Sequence, residues 1–164
     1  MKNISIIAAV GKNQELGKDN KLLWHIKEDM EFFKEKTINK NVIMGINTFY
    51  SLPKKLPNRK HIVLTHKDLK LDDDIIIMHN LKETLEYIKI KQEEFMIIGG
   101  AKIYQEFIDF ADKMYLTRIK DTKEADTYFP KINEDEWDNF ILSSFCEPIE
   151  YTHNKYVRKK NFKY

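Results

Sequence analysis

Cysteine is almost absent from this sequence. The single Cys146 excludes an intramolecular disulfide and a cysteine-based metal cluster, and its neighbours Phe145 and Ile149 predict a partly buried packing residue. An excess of one charge is lacking too. The 28 Lys and Arg stand against 26 Asp and Glu, and a formal net charge of +2 is too small to argue for nucleic acid as a partner. The basic residues are scattered, and the one dense run, Arg158-Lys159-Lys160, reads as a solvated strand end. No apolar run approaches the roughly 20 residues needed to span a bilayer, so no membrane partner is expected. The opening Met1-Lys2-Asn3-Ile4 leads straight into a strand pattern without the apolar core of a signal peptide, which makes the cytoplasm the expected location. There is no repeat, no low-complexity segment and no Gly/Ser-rich linker. The five histidines show no metal-ligand spacing; they read as surface residues, and no metal is expected.

What remains is a globular balance, 42% hydrophobic and 33% charged over 164 residues. That length suits one domain able to bury on the order of two thirds of its unfolded surface. Short apolar, β-branched runs predict strands over Ile4 to Val10, Asn41 to Met44, His61 to Leu64, Ile75 to Met78 and Phe95 to Ile98. They do not alternate, which suggests strands covered on both faces, as in a mostly parallel sheet. Between them lie helical patterns. Glu28 to Lys36 places Met30 and Phe33, with Phe32, on an apolar face; Leu81 to Ile90 and Ala101 to Phe110 repeat the spacing. Strand and helix therefore alternate, the pattern of an α/β domain. The last third differs: Lys113 to Ile119, Trp137 to Phe145 and Tyr151 to Phe162 read as strands, the last two pairing antiparallel at one edge. The sheet should be mixed, with its ligand at the carboxyl ends of the parallel strands.

Three strand ends stand out. Val42-Ile43-Met44-Gly45 runs directly into a short helix with Asn47 and Thr48 as candidate caps, a turn where free N–H groups can meet an anion. Phe95 to Ile98 is followed by Gly99-Gly100-Ala101-Lys102, which is not the G-x-G-x-x-G fingerprint but allows a pyrophosphate to lie against main-chain N–H groups. The first strand carries the small pair Ala8-Ala9, which leaves room for a flat ligand. It continues into a polar loop from Gly11 to Trp24, long enough to be a lid. Asp29 then falls in the first turn of an amphipathic helix. Pointing outward it complements the helix dipole; pointing inward it is a lone acid in an apolar pocket.

In order and spacing these pieces resemble dihydrofolate reductase over essentially the whole chain. They are Ile7-Ala8-Ala9, Leu16-Gly17, Asn20, Trp24, the Asp29 helix with Phe33, and Val42 to Gly45 with Thr48-Phe49. They continue with Leu56-Pro57-Asn58-Arg59, Ile98 to Ala101, Tyr104, Tyr115-Leu116-Thr117 and Asp126 to Pro130. The resemblance implies a single α/β domain over residues 1–164, an eight-stranded mixed sheet with about four flanking helices, and an adenosine-binding part near residues 41–92. It implies NADPH-dependent reduction of 7,8-dihydrofolate to tetrahydrofolate, antifolates as inhibitors, and a monomer.

Carried over by residue, Asp29 would hold the pterin and help to protonate N5, with Thr117 bonded to its carboxylate. Trp24 would fix an ordered water and close the lid. Ile7, Ala8, Met30, Phe33, Leu52, Leu56, Ile98 and Tyr104 would border the substrate, and Arg59 would clamp the carboxylate of its glutamate tail. Ala9, Leu16, Gly17 and Asn20 would lie near the nicotinamide ribose. Gly45, Ile46, Asn47, Thr48 and the run Gly99, Gly100, Ala101, Lys102, Ile103, Tyr104 would surround the phosphates, with a cis Gly99–Gly100 peptide. Leu64 and Thr65 would meet the adenosine.

Two departures matter. Ile46 stands where relatives commonly carry an arginine for the 2′-phosphate, a task that would pass to Lys102, Lys67, Thr65 and His66. Leu23 replaces a proline before Trp24, which should loosen the lid. Two other readings fit parts of the pattern: the pyrimidine reductase of riboflavin synthesis, and a nucleotide-binding module without catalysis. Neither accounts for Trp24, Asp29 and Arg59 together.

Overall fold

The computed structural model describes residues 3–160. The strands are β1 Ile4–Val10, β2 Glu15–Lys18, β3 Lys21–Leu22, β4 Asn41–Gly45, β5 Lys60–Leu64, β6 Ile76–Met78, β7 Phe95–Gly99, β8 Lys113–Ile119, β9 Thr127–Tyr128, β10 Trp137–Phe145 and β11 Tyr151–Arg158. The helices are α1 Lys27–Thr37, α2 Ile46–Ser51, α3 Leu81–Lys91 and α4 Ala101–Phe107, with 3-10 turns at Ile108–Phe110 and Glu134–Glu136.

Eight strands form one sheet in the order β10-β11-β8-β1-β7-β4-β5-β6. Pairing is parallel from β8 across to β6, and β11 and β10 close the other side antiparallel. Successive side chains of a strand point to opposite faces, and both faces of this sheet are covered. Ile6, Ile43 and Ile97 pack with Ile88 of α3 and with Ile103 and Phe107 of α4. Their neighbours Ile7, Val42, Met44 and Met96 pack with Phe32 and Phe33 of α1 and Phe49 of α2. This is why the parallel strands read as unbroken apolar runs. Outer strand β10 is largely exposed beyond Trp137.

Several expectations need correction. The stretch from Gly11 to Trp24 is not a plain loop: β2 pairs with β3 and with β9 in a three-stranded antiparallel sheet. The fourth helix stops at Phe107 and tightens into the 3-10 turn. The last strand ends at Arg158; the expected continuation to Phe162 runs past residue 160, and Met1 and Lys2 likewise lie outside the described residues. Cys146 is exposed. Arg158 is not a solvated strand end: its guanidinium donates to the carbonyls of Ala111 and Ile108, pairs with Glu136 and lies 4.3 Å from the Trp137 ring centre. His61 and His153 are buried, not surface residues. Met30 sits on the outer side of α1 and is 65% exposed.

Candidate active site

The carboxyl ends of β1, β4, β5, β7 and β8 open along one edge of the sheet. Asp29 stands there in the first turn of α1, where a carboxylate is favoured by the helix dipole. Its side chain is 22% exposed. Parallel pairing of β1 with β8 sets Thr117 beside Ala9, and the Thr117 hydroxyl donates to Asp29 Oδ1. Among the described residues no hydrogen bond reaches Oδ2, so one oxygen is tied inward and the other is open to a ligand. Tyr104, buried at the start of α4, donates to the Ile7 carbonyl at 2.7 Å. Its ionisation is strongly suppressed, first by burial and then by the negative charge of Asp29.

Apolar side chains border this carboxylate. Ile7 is buried in β1, and Phe33, Leu52 and Ile98 are half-buried in the layer between the sheet and α1, whereas Ala8, expected to border the substrate, packs in the core on the opposite face of the sheet. Leu56 is half-buried in the loop before β5. That loop is shaped by Asn58, with φ of 58°, a left-handed conformation that asparagine tolerates. Arg59 follows it. Its Nε donates to Thr37 Oγ1 and its Nη1 to the Pro57 carbonyl. No carboxylate lies within ion-pairing distance among the described residues, and burial lowers its proton affinity from the ordinary arginine value.

On the other side of β1 the two glycine turns lie against each other. A Cβ on Gly45 would meet Ile103 Cγ1 at 3.2 Å, and one on Gly100 would meet Thr48 Oγ1 at 3.5 Å. The Gly99–Gly100 peptide is cis and Gly99 has φ of +116°, a conformation glycine readily adopts. Gly45 and Gly100 stand at the N-cap positions of α2 and α4, which have no side-chain cap. Asn47 and Thr48 therefore lie inside α2 and do not cap it, as the sequence had suggested; the first N–H groups of both helices stay uncapped by side chains. Ile46 and Ala101 are half-buried, while Asn47 and Lys102 are exposed. At the end of β5, Leu64 and Thr65 are buried, Thr65 Oγ1 accepts from the Lys67 N–H, and His66 and Lys67 are exposed.

The lid segment carries Leu16 half-buried, Gly17 buried and Asn20 at φ of 61°, and Ala9 and Trp24 each pack against the core cluster of Ile26, Ile119 and Tyr151. Trp24 differs from expectation. Its one N–H donates to Asp121 Oδ2 at 3.0 Å, so that donor is already engaged and is not left for an ordered water. Lys123 Nζ donates to the Leu23 carbonyl at 2.8 Å. The segment following β8 thus anchors the position where proline is missing.

Sequence reasoning missed His153. It pairs with Thr117 across β8 and β11, and its Nε2 lies 3.3 Å from Asp29 Oδ1. A strand pattern gives no cross-strand register, which here is the needed signal. Among the described residues no cluster of three or more His, Cys, Asp or Glu is arranged to hold a metal.

The family model for dihydrofolate reductase matches residues 3–158. Curated relatives named dihydrofolate reductase include one from Buchnera aphidicola of the pea aphid, 46% identical over 79% of this chain and 80% of its own length. Another, from Bacillus subtilis, is 39% identical over 82% of this chain and 79% of its own. Among solved structures, the Enterococcus faecalis dihydrofolate reductase complexed with NADP(H) and RAB-propyl superimposes with a TM-score of 0.88, at 31% identity and 96% coverage of each chain. A site of this geometry, on this sheet order and among these relatives, leads to one assignment: the chain belongs to the dihydrofolate reductase family.

Proposed function

We propose that the chain reduces 7,8-dihydrofolate to 5,6,7,8-tetrahydrofolate with NADPH, and that Asp29, Thr117 and Arg59 organise the substrate. The observation that carries this reading is the asymmetric Asp29 carboxylate: Oδ1 held by Thr117, Oδ2 open, and apolar residues around both. A flat heterocycle bearing an amino group and an adjacent ring N–H can place a donor on the open oxygen. Ile7, Phe33, Leu52, Leu56 and Ile98 cover its faces, and Met30 is available at the rim. Arg59, with no carboxylate to pair with among the described residues, receives the glutamate tail.

The cofactor fits the second half of the cleft. The interlocked turns at Gly45 and Gly99-Gly100 bring two sets of uncapped main-chain N–H groups together, and any Cβ at Gly45 would crowd Ile103. These turns, with Thr48, Asn47, Ile46, Ala101, Ile103 and Tyr104, would hold the diphosphate; Ala9, Leu16, Gly17 and Asn20 would hold the nicotinamide ribose. The adenosine would lie on residues 41–92 near Leu64 and Thr65, with Lys102, Lys67 and His66 on its 2′-phosphate. Bound NADPH supplies the hydride. The protein's share is to stack the two rings, exclude water beneath Trp24, and raise the basicity of the substrate's N5 through the Asp29 charge.

We further infer a cytoplasmic monomer without nucleic-acid or membrane partners. No helix of the described residues is long and apolar enough to cross a membrane. The test is loss of nicotinamide absorbance with NADPH or NADH and dihydrofolate, for wild type and Lys102→Ala. Rapid NADPH oxidation, with the NADPH preference reduced in the variant, is expected. Turnover only of the riboflavin-pathway pyrimidine would overturn the substrate assignment, and an unchanged preference would overturn the role of Lys102.

A further inference from the structure

His153 is a buried titratable group that the reaction as described leaves unused. It is 3% exposed and lies between aromatic rings: Phe32 of α1 stacks on it at 4.0 Å and 13°, and Phe145 of β10 approaches edge-on at 5.3 Å. A histidine held this way by packing alone would need a partner for each nitrogen. Nδ1 lies 3.4 Å from Ser143 Oγ. Nε2 makes no hydrogen bond of good geometry among the described residues, yet it stands 3.3 Å from Asp29 Oδ1. The register places His153 beside Thr117, the residue already bonded to that same oxygen.

A carboxylate oxygen only accepts, with room for two donors, so only a ring with its hydrogen on Nε2 gives this contact a donor. Nδ1 is then an acceptor, matched by the Ser143 hydroxyl. The other titratable or charged groups on the packed elements are Tyr151 and Lys155 on β11, Glu28 and Lys36 on α1, and Tyr115 on β8. The Lys36 and Lys155 ammonium groups lie over the Tyr115 ring, and the Tyr151 phenol is held neutral, first by burial and then by Glu28 and Asp29. Asp29 alone is within ion-pairing distance of the His153 ring among the described residues.

We propose that His153 is a positioning residue for the reductase reaction. With its proton on Nε2, it donates toward Asp29 Oδ1, restrains the rotation of the carboxylate and moderates the charge that Oδ2 presents to the substrate. With the donor removed, the carboxylate acts on the substrate ring nitrogen with more of its charge, and that nitrogen keeps its proton to higher pH. This rests on the function proposed above.

The experiment measures single-turnover hydride transfer against pH in wild type, His153→Phe and His153→Gln. Melting temperature and NADPH binding establish that each variant is folded. The phenylalanine keeps the ring stack and removes the N–H, whereas glutamine keeps a donor. The expected result is a profile midpoint about one pH unit higher in His153→Phe, with His153→Gln close to wild type. A folded His153→Phe with the wild-type midpoint would overturn the proposal, since a purely structural histidine would change stability and leave the profile in place. The nitrogen-15 spectrum of ligand-free wild type provides a readout independent of turnover. Nε2 protonated and Nδ1 bare supports the assignment, and the opposite tautomer refutes it. If wild type leaves dihydrofolate untouched, the proposed function falls, and the tautomer still decides the pairing of His153 with Asp29.

Discussion

Gly11 shows how little space the site leaves at single positions. A Cβ there would lie 2.5 Å from Trp24 Cη2 and 2.7 Å from Glu15 Oε1. Neither neighbour yields easily. Trp24 is anchored on Asp121, and the Glu15 carboxylate is buried and accepts main-chain N–H bonds from Asn13 and Lys123. Gly11→Ala should therefore cost about 1–3 kcal/mol, the range for overpacking a filled interior. The denaturation midpoint will show this, and an alanine variant as stable as wild type would mean that the indole shifts freely. All five glycines of the chain, Gly11, Gly17, Gly45, Gly99 and Gly100, lie at the strand ends and lid that the sequence singles out. Their importance was legible because glycine is scarce. Which side chains crowd them was not, since Gly45 meets Ile103, 58 positions further along the chain.

Among the elements, the loop from α2 to β5 depends on His61. Its Nε2 accepts the Leu56 N–H at 3.0 Å and its Nδ1 donates to the Arg59 carbonyl, a pattern that only the neutral ring satisfies. Burial holds its proton affinity below the ordinary 6.5, outweighing the opposing Arg59 carbonyl. The unfolded chain thus binds this proton more readily, and stability rises with pH between the two values. The contribution is complete above 6.5 and is lost as pH falls below it. Melting temperatures from pH 8 to about pH 5 should decline more steeply in wild type than in His61→Gln; equal slopes would contradict the pairing. The sequence allowed the helices and parallel strands to be placed because the strands are buried on both faces and the helices carry their apolar residues at regular spacing. It did not reveal β2, β3 and β9. Strands of two to four residues, two of them fully exposed and the third built of Glu15, Leu16, Gly17 and Lys18, lack the apolar pattern that marks a strand.

For the molecule as a whole, the sheet order does the positioning. Central β1 has β7 and β8 as parallel neighbours, so the glycine turns open on one side of it and Thr117 stands on the other. Helix α1 then crosses to place Asp29 over Thr117. The acid and the Gly99-Gly100 turn of the cofactor cradle come from segments about 70 residues apart that only this topology unites. The family resemblance supplied the roles of Asp29 and Arg59, and the motifs alone led no further than an α/β nucleotide-binding enzyme. His153 shows what neither source contained, a contact created by antiparallel register at the sheet edge.

The central claim is that the Asp29 carboxylate promotes protonation of the substrate during hydride transfer. Its most direct test is the single-turnover rate of NADPH oxidation by dihydrofolate in wild type and Asp29→Asn across pH. The predicted loss in the variant is roughly 10²- to 10⁴-fold, the range for a positioned acid–base group, and it grows as pH rises above the pterin's own pKa. A variant that keeps the wild-type rate, or a loss that stays constant at every pH, would contradict it.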